Sequence, residues 1–525
     1  MRRRDLLLGS IPALSAVGQS RAASTSWDAG KLLHILPTVS DRRMLVKASF
    51  SDPLTTAPSL KAGNRLQKGQ QTDRHGSFWS FDIAGLEPSR PYELQLLDSR
   101  KRPLCSPWTL KTFPAPNDKP SKFRLLIYTC AGGDERNTVA NGKTNNLSIA
   151  QRGRLLDRAM TFVPDAVIAN GDHIYWDLRQ GSYPPKISEK LLAATGKFQR
   201  DVPVLGTPNE DVLRIVGDQQ IRRLYGTRFR NVPVFFLQDD HDYFENDDAD
   251  EKMVTYPADH FMLQLGRATR RLYYPEFLPD ANRPLGLPGA SAPDSPPGTG
   301  ECFGTLRYGS VAELLLYDCR RYLTLAGPNA VVIPRESENW ITSRLADSRV
   351  DHVVQVPSQP PAWSCGKWGD WYPDVRDNDK LTVDKNKPYW QQGWLSQHDR
   401  LMKAAFDAKM HIPLFISGDM HSIAEGHIHR SGKLDFRGNP VISILPGPIG
   451  TGENWPSNNR GMRALPPHHL EMDEKQPCLE EDGFLIVDFT PSKIIARFFR
   501  WSRSLPDSTI DQLQPYRESE FPRRA

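Results

Sequence analysis

Cysteine is scarce in this chain, with six in 525 residues. That excludes a disulfide-stapled scaffold, in which bridges replace a core. A charge excess is missing too: 67 Lys and Arg face 62 Asp and Glu, a formal net charge of +5, and nothing in the balance argues for nucleic acid. Long apolar runs are also lacking. The longest, residues 6–17, is too short to span a bilayer. What remains is an ordinary soluble composition, 38% apolar and 25% charged, in a chain long enough for two or three domains and a substantial core. Proline is the exception, and its 44 copies point to long irregular loops.

The short apolar run has a context. Arg2, Arg3 and Arg4 precede it and Ser20-Arg21-Ala22-Ala23 follow, the order of a twin-arginine export leader over residues 1–23. Its removal after Ala22 takes four arginines and one aspartate and leaves the mature chain at +2. The expected location is periplasmic or secreted, with the twin-arginine machinery as a partner and no membrane span left after cleavage. An oxidising compartment permits bridges, and Cys302 and Cys319 flank a hairpin turn at Gly309-Ser310 where they are placed to pair.

Residues 27–115 read as a small all-β unit. Runs at 32–36, 44–50, 78–83, 92–97 and 108–113 are separated by polar, Gly or Pro turns. The stretch 86–92, LEPSRPY, resembles the tyrosine corner of fibronectin type III domains, in which a tyrosine entering a strand bonds back to nearby backbone. A linker at 115–121 follows. From 122 to 502 the pattern alternates strand and helix. Apolar strands fall at 123–130, 165–170, 232–237, 311–318, 352–357, 412–417 and 441–445, with amphipathic helices at 147–160 and 394–410. A hairpin, 483–489 and 494–501, closes the domain. Residues 283–300 read as a Pro/Gly-rich loop, and 503–525 as a polar tail or a short packed helix.

Several strands end in chemistry. The run at 166–169 stops at Asn170-Gly171-Asp172, with Tyr175 three residues on. The run at 232–237 delivers Asp239, Asp240 and His241; that at 412–417 delivers Gly418, Asp419 and His421; that at 123–130 ends on Cys130. Ligands in open α/β sheets gather at this edge. Asp172 can bridge two cations, as phosphoryl-transfer centres require. A phenolate and a thiolate together favour Fe(III), while Asp172, Asp240 and Asp419 suit a harder ion such as Ca²⁺. Cys130 read alone is more readily a buried small hydrophobe than a ligand. His241 is the expected donor to a phosphate oxygen or leaving group, and Asn246 is placed to complete a shell. Asp242, Glu245, Asp247, Asp248 and Asp250 read as a solvated acidic run, and His427 and His429 as an exposed strand face.

The ordered set Cys130, GDHIY (171–175), DDHD (239–242), YDCRRY (317–322) and SGDMHS (417–422) resembles the PhoD-like alkaline phosphatases of the calcineurin-like metallophosphoesterase superfamily. The leader, the front domain and the closing hairpin fit the same family. The resemblance implies a four-layer α/β/β/α sandwich behind the fibronectin-like domain, and metal-dependent hydrolysis of phosphate esters. It implies iron and calcium, with Cys130, Asp172, Tyr175, Asp240, Asp419 and His421 as ligands. His241, Asp172 and Arg320 are the expected catalytic residues, Arg320 as a phosphate clamp or else a surface ion pair. The chain departs in two places: Asp242 stands where the family carries Glu, and 355–361 lacks a further histidine. The rival readings are a phosphodiesterase acting on lipid or polymer diesters and a metal-stabilised protein that binds without catalysis.

Overall fold

The computed structural model describes residues 27–137, 146–176, 187–243, 247, 249, 254–280, 282–290, 292–451 and 454–524. The leader at 1–23, Asn246 and the acidic residues Glu245, Asp248 and Asp250 lie outside them. Among the described residues no helix is long and apolar enough to cross a membrane.

Residues 27–111 form two four-stranded sheets, antiparallel throughout. The five expected strands are present, among them Leu32–Val39, Arg43–Phe50 and Phe78–Ala84. Three short ones between 59 and 71 are additions whose mostly polar side chains carry no apolar signal. The Tyr92 hydroxyl accepts the Glu87 N–H at 2.8 Å, the expected bond back to backbone. This front unit docks on the larger, C-terminal part of the chain through buried polar contacts. Lys47 Nζ lies 3.0 Å from Glu276, and His34 Nε2 lies 3.0 Å from the Tyr273 carbonyl oxygen.

Two larger sheets make up that part. The first has six strands in the order Val234–Leu237, Ala166–Asn170, Phe123–Tyr128, Asp482–Thr490, Lys493–Trp501 and Arg517–Pro522. Its first three are parallel. The last corrects the expected polar tail: alternate residues Ser519 and Phe521 are buried, so the segment pairs as an edge strand. The second sheet has eight strands, with Ala312–Tyr317, His352–Pro357, Leu414–Ile416 and Val441–Pro446 parallel at its centre. The strand at 303–308 pairs with 312–317 as the expected hairpin, yet all six cysteines are free thiols.

These parallel strands are apolar on both faces because both faces are covered. Ile127, Ile168 and Leu485 of one sheet share a core with Leu316, Val356 and Ile416 of the other. The opposite face of the first sheet, with Leu126, Val167 and Phe236, packs on the helices Ile149–Met160, Pro208–Gly217 and His260–Tyr273. The second sheet turns Leu315, Tyr317 and Val353 to Arg335–Leu345 and Gln392–Asp407. Each such aliphatic side chain contributes about 1.5–3 kcal/mol. The Ile149–Met160 helix starts where a capping box, Ser148 with Gln151, satisfies its first N–H groups.

The arrangement brings six strand ends to one rim. Tyr128, Asn170 and Leu237 finish at the same edge as Tyr317, Pro357 and Ile416. Asn170 Nδ2 donates to the Pro357 carbonyl at 2.9 Å and ties the two sheets together there.

Candidate metal centre

The turns beyond those strand ends are tight. Gly171 takes φ +79°, and a Cβ on it would meet the Asp239 Cβ at 2.7 Å; a Cβ on Gly418 would meet the Asn170 carbonyl oxygen at 2.4 Å. Only glycine lets three loops approach this closely. Cys130, Asp172, Asp419 and His421 all sit at positive φ, between 43° and 73°. Such backbone costs about 1–3 kcal/mol per residue and gathers at functional sites.

Residues up to 291 positions apart in the chain, Cys130 and His421, meet at this rim. Cys130 Sγ lies 3.3 Å from Asp172 Oδ2. The Tyr175 hydroxyl lies 2.9 Å from the same oxygen and 3.2 Å from His421 Nε2. His421 Nε2 is 3.5 Å from Asp172 Oδ2. Donor atoms of Cys130, Asp172 and His421 lie within 4.8 Å of one another, as do those of Asp172, Asp240 and His241, and of Asp239, Asp240 and Asp419. All six expected ligands are therefore in one place, every one of them buried. His427 and His429 are elsewhere, paired with Glu425 and Asp473.

The chemistry differs across this cluster. Burial, with Asp240 and Asp419 repelling, pushes the Asp172 carboxyl well above the usual carboxylate range. Burial likewise pushes the Cys130 thiol and the Tyr175 phenol well up, with Asp172 adding to both. Burial lowers His421 to about 4, so its imidazole is neutral and able to ligate. Asp240 goes the other way: burial would raise it, but Lys367 and Arg320 hold it well below the usual range. Asp172 Oδ1 is buried with no hydrogen-bond partner among the described residues. A thiol, a phenol, a neutral imidazole and a carboxylate with an unused oxygen form a donor set that a cation completes.

Two residues that read as solvated in the sequence are central. Asp242 is fully buried, and its carboxylate accepts the N–H groups of Asp172, His173 and Asp239 at 2.7, 2.9 and 2.9 Å. It clamps the turn that carries Asp172 to the one that carries Asp240. Asp247 is buried beside Lys367 and Arg320. Arg320 is no surface ion pair: its Nε donates to Asp239 at 2.6 Å and its Nη1 to Asp247 at 3.2 Å. His241 is half-buried at the mouth, its ring 3.9 Å from that of Tyr175 between centroids. Lys367 is absent from the expected set altogether. Its only signal is a lone positive charge inside the Trp- and Gly-rich run SCGKWGDW, 364–371.

A profile of the PhoD-like phosphatases matches residues 152–498, well over half of the chain. The protein belongs to the PhoD-like phosphatase family. It is accordingly a hydrolase of phosphate esters. Among solved structures, one titled "Structure of PhoD" is similar at a TM-score of 0.58 and 14% identity, covering 91% of this chain and 87% of that one. The purple acid phosphatase PPD1 from yellow lupin (Lupinus luteus) seeds is similar at 0.53 and 11%, covering 94% and 74%. At these identities the likeness is one of fold. No curated protein sequence matches the chain. The PhoD-like phosphatase thus carries its buried donors at the rim of a mixed α/β fold shared with two phosphatases.

Proposed function

We propose that this PhoD-like phosphatase is an exported, metal-dependent enzyme whose resident ion sits among Cys130, Asp172, Tyr175 and His421, with Asp240 alongside. The Asp172 Oδ1 atom, buried with no hydrogen-bond partner among the described residues, supports this most directly. The thiol and phenol favour a ferric ion. Such an ion supplies Lewis acidity toward water and the phosphoryl group. The layers of the main domain are those of the α/β/β/α metallophosphoesterase sandwich, and the front unit, with its Tyr92–Glu87 bond, is fibronectin type III-like.

The protein's own groups do the rest. Asp242 holds the Asp172 turn, so the carboxylate is oriented before substrate arrives. His241, at the mouth with its ring tilted against that of Tyr175, is positioned to protonate the departing alkoxide. Arg320 acts as fixed positive charge rather than a two-pronged clamp, because Asp239 and Asp247 already engage its Nε and Nη1. A second, calcium-type ion finds its carboxylates at Asp239, Asp240 and Asp419 already bonded to cationic side chains. The residues present do not fit it, and no step is assigned to it.

The experiment is Asp172→Ala with p-nitrophenyl phosphate. Metal content and turnover should fall together, turnover by about a thousandfold. Normal hydrolysis in that variant would refute the assignment. Comparing mono- and bis-p-nitrophenyl phosphate separates a monoesterase from the phosphodiesterase reading, and a folded protein with no esterase activity would favour the binding protein.

A further inference from the structure

The carboxylates of Asp239, Asp240 and Asp419 converge as a cation site would, but protein cations already fill the space between them. Lys367 Nζ lies 2.8 Å from Asp240, 2.5 Å from Asp419 and 2.9 Å from Asp247. Lys367 donates to Asp240 and Asp419, and the third carboxylate, Asp247, stands at ion-pair distance. Arg320 closes the other side, with Nε 2.6 Å from Asp239 and Nη2 3.3 Å from Asp419.

Lys367 is no surface side chain folded inward. It is 2% exposed, and its loop is built to hold it there. The backbones of Ser364 and Leu465 exchange hydrogen bonds at 2.8 and 2.9 Å. Ser364 Oγ donates to Asp370 at 2.5 Å, and buried Lys387 bonds Asp370 from the far side. Gln359 donates to the Gly369 carbonyl at 3.1 Å. Gly369 lies so close to Asp247 that a Cβ would meet its Oδ2 at 2.4 Å. Ordering a lysine costs rotamer entropy, and stripping its water costs more still. A loop braced at four points meets that cost only if the charge is needed at that spot. The strand end at 357 adds no metal ligand either: Ser358 Oγ donates to Asp239 at 3.1 Å, and Gln359 is the loop brace.

We propose that the centre takes a single metal ion, and that the Lys367 ammonium, backed by the Arg320 guanidinium, stands where a second metal ion would. The inference rests on the metal reading of the Cys130 cluster and adds that the second positive pole is covalent and permanent. The two poles then answer to different treatments. Chelation strips the first, and only substitution removes the second.

The test is metal counting on the purified full chain, loaded with iron and then with excess calcium or manganese, and freed of loosely held ions. The expected result is one tightly bound ion per wild-type chain. Lys367→Met should rise to two, because three carboxylates lose their counter-charge. Two tightly bound ions in the wild type would overturn the proposal, as would a folded Lys367→Met variant that stays at one. If that variant does not fold, the wild-type count alone decides. No bound ion at all would overturn the metal reading itself, a different failure from two.

Discussion

The two poles of the centre solve one electrostatic problem in opposite ways. At one, Cys130, Asp172, Tyr175 and His421 bring donors of four kinds together, and the groups that meet Asp172 Oδ2 there are a thiol, a phenol and an imidazole. At the other, Asp239, Asp240, Asp247 and Asp419 enclose Lys367 and Arg320. The consequence is visible in two neighbouring carboxylates. Asp172 is pushed up by burial, while Asp240, equally buried, is held down by Lys367 and Arg320. A buried carboxylate is tolerated only with a compensating charge. The first pole must import that charge, and the second carries its own.

The sharpest way to break this contrast, after the two substitutions already described, is Tyr175→Phe. It removes one donor from the importing pole and should lower turnover by roughly a hundredfold. It should also abolish any visible phenolate-to-iron absorption while leaving the far-ultraviolet circular dichroism unchanged. Unaltered turnover would place the ion away from the phenol. A smaller effect, about tenfold on metal affinity, is expected of Asp242→Ala, which frees three backbone N–H groups and loosens the Asp172 turn. Asp242→Glu should recover most of it if the carboxylate acts by position.

The self-neutralised pole predicts an insensitivity. Treating the iron-loaded enzyme with a calcium chelator should change turnover less than about twofold, whereas a requirement for free calcium would equate the two poles. The smallest effect is a background slope against which both are read. Burial holds His34 at about 3, neutral against the Tyr273 carbonyl, with Arg222 and Lys47 disfavouring its charge. Its folded value lies below its unfolded value of 6.5. Its contribution is therefore present above that pH and is lost as pH falls below it. Between pH 7 and pH 6 the loss is on the order of 1 kcal/mol or less. Urea unfolding of wild type and His34→Gln at both pH values checks it.

Much of the centre is legible in the chain, for a physical reason. Strands covered on both faces read as unbroken apolar runs, so Cys130, Asp172, Asp240 and Asp419 stand out just past their ends. The pairing inside the self-neutralised pole is not legible. Asp247 lies in a stretch of acids that looks solvated, and nothing in its composition says that one of them turns inward to meet a lysine 120 positions on. Asp242 is misread for the same cause, since a carboxylate serving three backbone N–H groups is indistinguishable in sequence from one facing water. Elsewhere the His260–Tyr273 helix escapes notice, although its Phe261, Leu265, Ala268 and Leu272 share one buried face. The strand Leu470–Leu479 does too, because an edge with a single buried residue carries little apolar pattern.

The most direct measurement is a crystal structure of the iron-loaded enzyme with anomalous diffraction at the iron edge. The account predicts a single peak within bonding distance of Cys130 Sγ, Tyr175 Oη, His421 Nε2 and Asp172, with Lys367 still between Asp240, Asp247 and Asp419. A peak between those three carboxylates with Lys367 displaced, or no peak beside the thiol and phenol, would contradict it.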